Sequence, residues 1–150
     1  MIFLEITETP IIAGGFAMAH HGRVRGTVDI EVLAVASVSK FIEVFKARGY
    51  KHEVVQLPIG HLDLLTKGNK GVDFIHLSNR ELLDSIQRRA VLATMQNKEV
   101  RFVSLEDLIL LKLLATKGRT NNYDAADLDI LLAKPHDQNY VTEWKKKLNL

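Results

Sequence analysis

The spacing of apolar and polar residues predicts strands and helices in a mixed order along the chain. Residues 28–35 (VDIEVLAV) interleave β-branched residues with Asp29 and Glu31, a pattern typical of a strand with one buried face. Residues 37–49 carry apolar side chains at helical spacing and end on a glycine, which predicts a capped helix. Ser104 precedes a leucine-rich run with Asp107 at the third helical position, a capping-box arrangement that predicts where a later helix begins.

Shorter runs of the same kinds complete the predicted order. We expect further strands at residues 2–6, 53–57, 62–66, 72–77, 91–95 and 100–103, and further helices at residues 16–21, 79–89, 124–132 and 140–148. An apolar run, Ile11 to Ala13, leads into the pair Gly14 and Gly15, which is a turn signal. Turn residues at 67–71 and at 97–98 predict two hairpins. The expected class is therefore α+β (mixed α/β), as a single domain over residues 1–150.

Composition removes several classes of function. The 150 residues are 47% apolar and 25% charged, which is the balance of a folded domain. The absence of cysteine excludes disulfides and thiol nucleophiles. A net charge of +2 does not by itself indicate a nucleic-acid partner. The longest apolar run, residues 108–115, is too short to span a bilayer, and the first residues lack a basic signal region, so we expect a cytoplasmic protein without a membrane partner.

Residues 13–33 (AGGFAMAHHGRVRGTVDIEVL) carry the candidate chemistry. A double glycine before a helix lets backbone N–H groups approach an anion closely. Asp29 and Glu31 are two residues apart on a strand, so both carboxylates point to the same face and repel each other unless a cation neutralises them. Hard oxygen ligands favour Mg²⁺ or Mn²⁺. A third carboxylate would come from a neighbouring strand, with Asp73 the better placed candidate and Asp63 the other.

These residues resemble a known family. The glycine pair, an HG step with two arginines, T-x-D-I-acid and a later V-D-F resemble the nucleotidyltransferase fold of the DNA polymerase β superfamily. The downstream SLEDLILLKLLA and the D-x-x-D helix are similar to small bacterial nucleotidyltransferases of the AbiEii type and to minimal nucleotidyltransferases of toxin–antitoxin pairs. The resemblance covers about residues 12–132. It implies Mg²⁺- or Mn²⁺-dependent transfer of a nucleoside monophosphate from an NTP to a hydroxyl of tRNA, a protein or a small molecule.

The resemblance also implies a role for each matching residue. Asp29, Glu31 and Asp73 would be metal-binding catalytic acids, and Asp73 would help to activate the attacking hydroxyl. The implied nucleotide-binding residues are Gly14, Gly15, Arg25 and Thr27, and the implied catalytic lysine is Lys112. Arg23 is a weaker phosphate candidate. Asp124 and Asp127 would orient the last-helix region, or simply pair with a nearby cation.

The alternative hypothesis is a non-catalytic module that uses the same fold to bind a protein partner, as in a toxin–antitoxin pair. The second acid is Glu31 where the family usually has aspartate, and only 13 residues precede Gly14 where the family usually has a helix. Lys112 could equally be a snorkelling lysine on an apolar helix. The six histidines show no H-x-x-x-H spacing, so we do not expect a zinc site. A metal-dependent nuclease is disfavoured because no E-x-K follows the acids.

Overall fold

In the described part of the chain, seven strands rich in aliphatic residues form one sheet at the centre of the fold. The computed structural model describes residues 10–22, 29–117 and 122–150, with the side chains of residues 122–124 outside the description. The strands are β1 (Ile11–Ala13), β2 (Asp29–Leu33), β3 (Lys51–Leu57), β4 (Gly60–Lys67), β5 (Lys70–Leu77), β6 (Val91–Met95) and β7 (Lys98–Phe102). The strand predicted at residues 2–6 lies outside the described residues.

The strand order is β3-β4-β5-β2-β1-β7-β6. β2 runs parallel to β5, and β1 runs parallel to β7, while the other neighbouring pairs are antiparallel. The sheet is therefore mixed, as the alternation of helices and hairpins predicts. This order places β2, which carries two of the candidate acids, directly beside β5, which carries the third.

Both predicted hairpins are present. In the β4–β5 hairpin, Lys67 pairs with Lys70, and Gly68 in the turn has φ +60°. In the β6–β7 hairpin the turn residues are Gln96 and Asn97, with φ of 52° and 61°, rather than residues 97 and 98. Two consecutive residues with positive φ match the twist of the flanking strands, which explains the position of this turn.

Six helices accompany the sheet in the described part of the chain. They are α1 (Gly14–His20), α2 (Ser39–Ala47), α3 (Arg80–Arg89), α4 (Leu105–Thr116), α5 (Asn122–Leu132) and α6 (Gln138–Lys147). The capping box predicted for α4 is confirmed, because the Ser104 hydroxyl accepts from the Asp107 amide and donates to the Asp107 carboxylate. None of the described helices is both long and apolar enough to cross a membrane.

A buried polar network joins α3, α4 and α6. The Tyr140 hydroxyl donates to Asp107 Oδ1 at 2.5 Å and lies 2.6 Å from Ser85 Oγ. Burial raises the pKa of Asp107, and the hydrogen bonds from Tyr140 and Ser104 counter part of that rise. The Arg89 guanidinium lies 3.8 Å from the centre of the Tyr140 ring. These contacts tie the carboxyl-terminal helix to the rest of the fold.

Candidate active site

The pairing of β2 with β5 brings the three predicted acids to one face of the sheet. Glu31 lies opposite Asp73, and Asp29 lies opposite Gly71, in a parallel register. Directly paired residues of neighbouring strands share a face, as do residues two apart on one strand, so the three carboxylates lie on the same side. Ile30 and Val32 point to the other face and are buried, as the alternation in this strand predicts.

Asp63, the alternative third acid, points away from this group. It pairs with Phe74 rather than with Asp73, so its side chain lies on the opposite face of the sheet. Asp63 as a partner of Asp29 and Glu31 is therefore wrong. That opposite face is also the one against which α2 packs, since the Phe41 ring meets the Phe74 ring with centroids 5.8 Å apart.

The charges of Glu31 and Asp29 act on Asp73. The pKa of Asp73 is raised to about 6, first by partial burial and then by the charges of Glu31 and Asp29. At neutral pH the charged Asp73 carboxylate is therefore repelled by the other two acids, which costs stability. A bound divalent cation would relieve this repulsion, and an all-carboxylate donor set fits Mg²⁺ or Mn²⁺. The donor chemistry of these residues thus fits the metal that the sequence resemblance implies, although their oxygens do not converge as closely as the ligand atoms of His61, Asp63 and His76.

Two glycines leave room for the acids. Gly14 has φ +61°, and a Cβ placed there would overlap the Glu31 carboxylate. A Cβ at Gly71 would lie 2.7 Å from Asp29 Oδ1, which is closer than real Cβ contacts. Only glycine fits the backbone angle and the space at position 14. Both glycines therefore let carboxylate side chains lie against neighbouring backbone.

Gly14 and Gly15 do not form a separate turn before a helix. They are the first two residues of α1, and Gly15 is buried. The positive φ of Gly14 makes the bend from β1 into α1, so the turn signal marks the junction itself. Residues 11–13 form β1, which pairs with β2 so that Ala13 lies opposite Glu31. This junction places the amino end of α1 beside the acidic group.

Lys112 on α4 is paired with Asp127 on α5. Its Nζ lies 3.1 Å from Asp127 Oδ2, and both side chains are largely buried. The lysine is therefore part of the contact between two helices, and its predicted position near a nucleotide stays a prediction. Arg23, Arg25 and Thr27 lie outside the described residues, as does the side chain of Asp124.

A second cluster was not predicted from the sequence. His61, Asp63 and His76 have ligand atoms that all lie within 4.8 Å of one another, and they form the one such group of histidines and acids in the described part of the chain. His61 and Asp63 are two residues apart on β4, so an H-x-D pattern on a strand was the available local signal. The H-x-x-x-H spacing of helical metal sites does not include this pattern.

Comparison with known proteins identifies the fold. The sequence matches no protein-family model and no curated protein. The structure is similar to that of the lincosamide antibiotic adenylyltransferase LnuA bound to lincomycin, with a TM-score of 0.60 and 17% identity over 88% of this chain and 90% of that one. It is also similar to the antibiotic-resistance factor ANT(2″)-Ia in solution, with a TM-score of 0.58 and 18% identity over 82% of this chain and 72% of that one.

A crystal structure of ANT(2″)-Ia with adenylyl-2″-tobramycin gives a TM-score of 0.57 at 18% identity, over 82% of this chain and 77% of that one. At such low identity these similarities establish architecture. The chain has a mixed α+β architecture of the nucleotidyltransferase fold.

Proposed function

We propose that this chain is a nucleotidyltransferase that moves a nucleoside monophosphate from an NTP to a hydroxyl acceptor and releases pyrophosphate. One observation carries the proposal: the parallel β2–β5 register puts Asp29, Glu31 and Asp73 on one face of a nucleotidyltransferase-type sheet. The face is accessible, since Asp29 is exposed and the other two acids are only partly buried. A nucleotide could therefore reach the carboxylates.

Asp29, Glu31 and Asp73 would hold Mg²⁺ or Mn²⁺ in this proposal. When bound, the metal would neutralise phosphate charge and orient the α-phosphate for displacement. The rigidity of β2 and β5 holds the carboxylates in fixed relative positions, and this positioning is the main contribution that a protein makes to phosphoryl and nucleotidyl transfer. Glu31 has one methylene more than aspartate, and the missing Cβ of Gly14 provides space for that longer side chain.

Asp73 is the proposed acceptor for the proton of the attacking hydroxyl. The acceptor oxygen would form a bond to the α-phosphorus while the bond from that phosphorus to the pyrophosphate oxygen breaks. The hydroxyl proton would move to the Asp73 carboxylate. Asp73 lies opposite Glu31 on the paired strand, so its carboxylate would be beside the other two acids where the hydroxyl attacks.

Nucleotide binding would use the junction of β1 with α1. Gly14 and Gly15 would let backbone N–H groups approach the triphosphate, and Arg25 and Thr27 would contact its oxygens. Lys112 would act near the nucleotide only if its side chain turned away from Asp127. These assignments rest on the sequence resemblance, and substitution of Arg25 tests them independently of the acids.

The acceptor we propose is a small molecule that carries hydroxyl groups. LnuA, which shares the fold over 90% of its chain, is a lincosamide adenylyltransferase, and ANT(2″)-Ia is found with adenylylated tobramycin. A role in a toxin–antitoxin pair, with tRNA or a protein as the acceptor, is the competing possibility. The same assay distinguishes these acceptors.

The test is transfer of label from each of four α-labelled NTPs in the presence of Mg²⁺ or Mn²⁺. Acceptors would include lincomycin, tobramycin, tRNA and a protein extract. We expect label on a small-molecule acceptor with the wild type, and none with Asp29→Asn. Asp84→Asn, which removes an exposed carboxylate from α3, is the matched control and should transfer at the wild-type rate.

Transfer that persists in Asp29→Asn would refute the catalytic assignment. If no acceptor is labelled and NTP with Mg²⁺ does not stabilise the protein, the non-catalytic binding module is correct. Label found only on tRNA or on a protein would support the transfer reaction but refute a small molecule as the acceptor.

A further inference from the structure

A second group of titratable side chains lies on the face of the sheet opposite the three acids. It consists of His52 on β3, His61 and Asp63 on β4, and His76 on β5. His61 pairs directly with His76, and His52 is two residues from the partner of Asp63, so all four side chains share one face. The proposed transfer chemistry uses none of them.

The three histidines converge on one carboxylate. His52 Nε2 lies 2.7 Å from Asp63 Oδ1, and His76 Nε2 lies 2.6 Å from Asp63 Oδ2. His61 Nε2 lies 4.0 Å from the same Oδ2, which is too long for a hydrogen bond. The His61 ring instead stacks on the His76 ring, with centroids 4.1 Å apart and planes 9° from parallel.

We propose that His61, Asp63 and His76 form a binding site for a divalent transition-metal ion of the zinc class. Each residue offers one ligand atom, and these atoms all lie within 4.8 Å of one another. A tetrahedral zinc ion with bonds of about 2.0 Å separates its ligand atoms by roughly 3.3 Å. The Asp63–His76 contact would lengthen and the Asp63–His61 separation would shorten, each by less than about 1 Å. The stacked His61 and His76 rings would also have to turn out of parallel, because the lone pair of an imidazole nitrogen lies in the ring plane.

The chemistry of the group favours zinc over magnesium. Two imidazole nitrogens and one carboxylate oxygen are ligands that suit zinc and similar transition metals, whereas magnesium prefers oxygen ligands alone. Because neutral imidazoles add no charge, the single carboxylate gives the group a charge that a divalent ion complements. The two faces of the sheet would thus select different classes of metal.

The surroundings also meet the other needs of a metal site. Asp63 is buried, and His52 would be a positioning residue, because its hydrogen bond to Oδ1 orients the carboxylate without contacting the metal. The His61 side chain is 40% exposed and gives an ion a path of entry. Three protein ligands leave the fourth tetrahedral position for water.

Binding would link β4 to β5 and stabilise the folded chain. Metal that binds only the folded state raises the melting temperature, and binding weakens at low pH because imidazoles must be unprotonated to act as ligands. These effects do not depend on nucleotidyl transfer, so the zinc site can be refuted without refuting the proposed function, and the reverse is also true.

The experiment is a zinc titration of the untagged full chain after chelator treatment, followed by calorimetry and by thermal unfolding. We expect one zinc ion per chain at this site, with no displacement by excess Mg²⁺. His61→Ala removes one ligand and leaves the hydrogen bonds of Asp63 with His52 and His76 in place. It should weaken zinc binding by about tenfold or more and reduce the zinc-dependent rise in melting temperature.

His136→Ala is the matched control, since His136 is a half-buried histidine that contacts the Lys134 carbonyl outside the cluster. This variant should bind zinc like the wild type. Equal zinc affinity in His61→Ala and the wild type would overturn the proposal, as would zinc binding that is lost in Asp29→Asn but retained in His61→Ala.

Nuclear magnetic resonance of the wild type provides a readout that does not depend on a variant that folds. Zinc should shift the ring signals of His61 and His76 and leave those of His136 unchanged. Unchanged His61 and His76 signals at saturating zinc would refute the site.

Discussion

Replacing Asp73 with asparagine should stabilise the metal-free protein at pH 8. At pH 8 the wild type must keep Asp73 charged, although its pKa is raised, by burial first and then by Glu31 and Asp29. Asparagine has nearly the same shape and removes one charge. The increase in the free energy of unfolding measures the electrostatic cost of the charged Asp73 carboxylate in the folded state.

The size of the effect follows from the pKa. Asp73 titrates at about 6 in the folded protein against an ordinary value of 3.8. Each pKa unit corresponds to about 1.4 kcal/mol, so the full difference is about 3 kcal/mol. Asp73 is only partly buried, and solvent screening reduces the expected stabilisation to about 1–2 kcal/mol.

The direction of the pH dependence is fixed by the sign of the shift. A pKa raised in the folded state means that the folded protein binds the proton more tightly than the unfolded chain. The contribution of Asp73 to the free energy of unfolding is therefore most favourable below pH 3.8. This contribution is lost as the pH rises through about 6. The advantage of Asp73→Asn should be absent near pH 4 and fully developed at pH 8.

Urea denaturation in chelator at pH 4, 6 and 8 measures this difference directly. The matched control is Asp84→Asn, which removes an exposed carboxylate and should show no comparable pH-dependent gain. If Asp73→Asn is as stable as the wild type at pH 8, or gains stability equally at pH 4, burial and the neighbouring carboxylates do not disfavour the charged form of Asp73 as the structure indicates.

Three further substitutions and one control test separate contacts. Gly14→Ala should lower the free energy of unfolding by about 1–3 kcal/mol and abolish nucleotidyl transfer. Gly68 also has a positive φ but has open space around it, so Gly68→Ala should lose stability and keep its activity. Urea midpoints and the labelled-NTP assay measure these two effects. Tyr140→Phe should cost about 1–3 kcal/mol in urea because the buried Asp107 carboxylate loses a hydrogen-bond donor. Lys112→Met should cost about 3 kcal/mol, measured in the same way, because it removes the cation paired with a buried carboxylate. Unchanged urea midpoints would contradict each of these.

Local patterns were enough to predict most elements of the fold. The alternation of apolar and polar residues around Asp29 and Glu31 predicts which side chains lie on the same face of the strand. This prediction needs only local sequence, because side chains alternate between faces with a period of two residues. The capping role of Ser104 likewise depends on residues within one helical turn. The hairpin turn at Gln96 and Asn97 was misplaced by one residue, because the exact strand register depends on both strands.

The candidate site depends on long-range register, which a local pattern does not contain. The sequence favours Asp73 over Asp63 as the third acid, but only the pairing of β4 with β5 shows that Asp63 points to the other face. The histidine cluster was missed for the same reason. Its ligands come from β4 and β5, so only the pairing of His61 with His76 completes the H-x-D pattern of β4.

The most direct test of the central claim is the binding of NTP with and without Mg²⁺, because it requires no knowledge of the acceptor. Calorimetry on the wild type should show nucleotide binding that strengthens at least about tenfold when Mg²⁺ is present, and Asp29→Asn should lose that enhancement while Asp84→Asn keeps it. Nucleotide binding that is the same with and without Mg²⁺, or an enhancement that survives Asp29→Asn, would contradict the assignment of the three acids as a metal–nucleotide site.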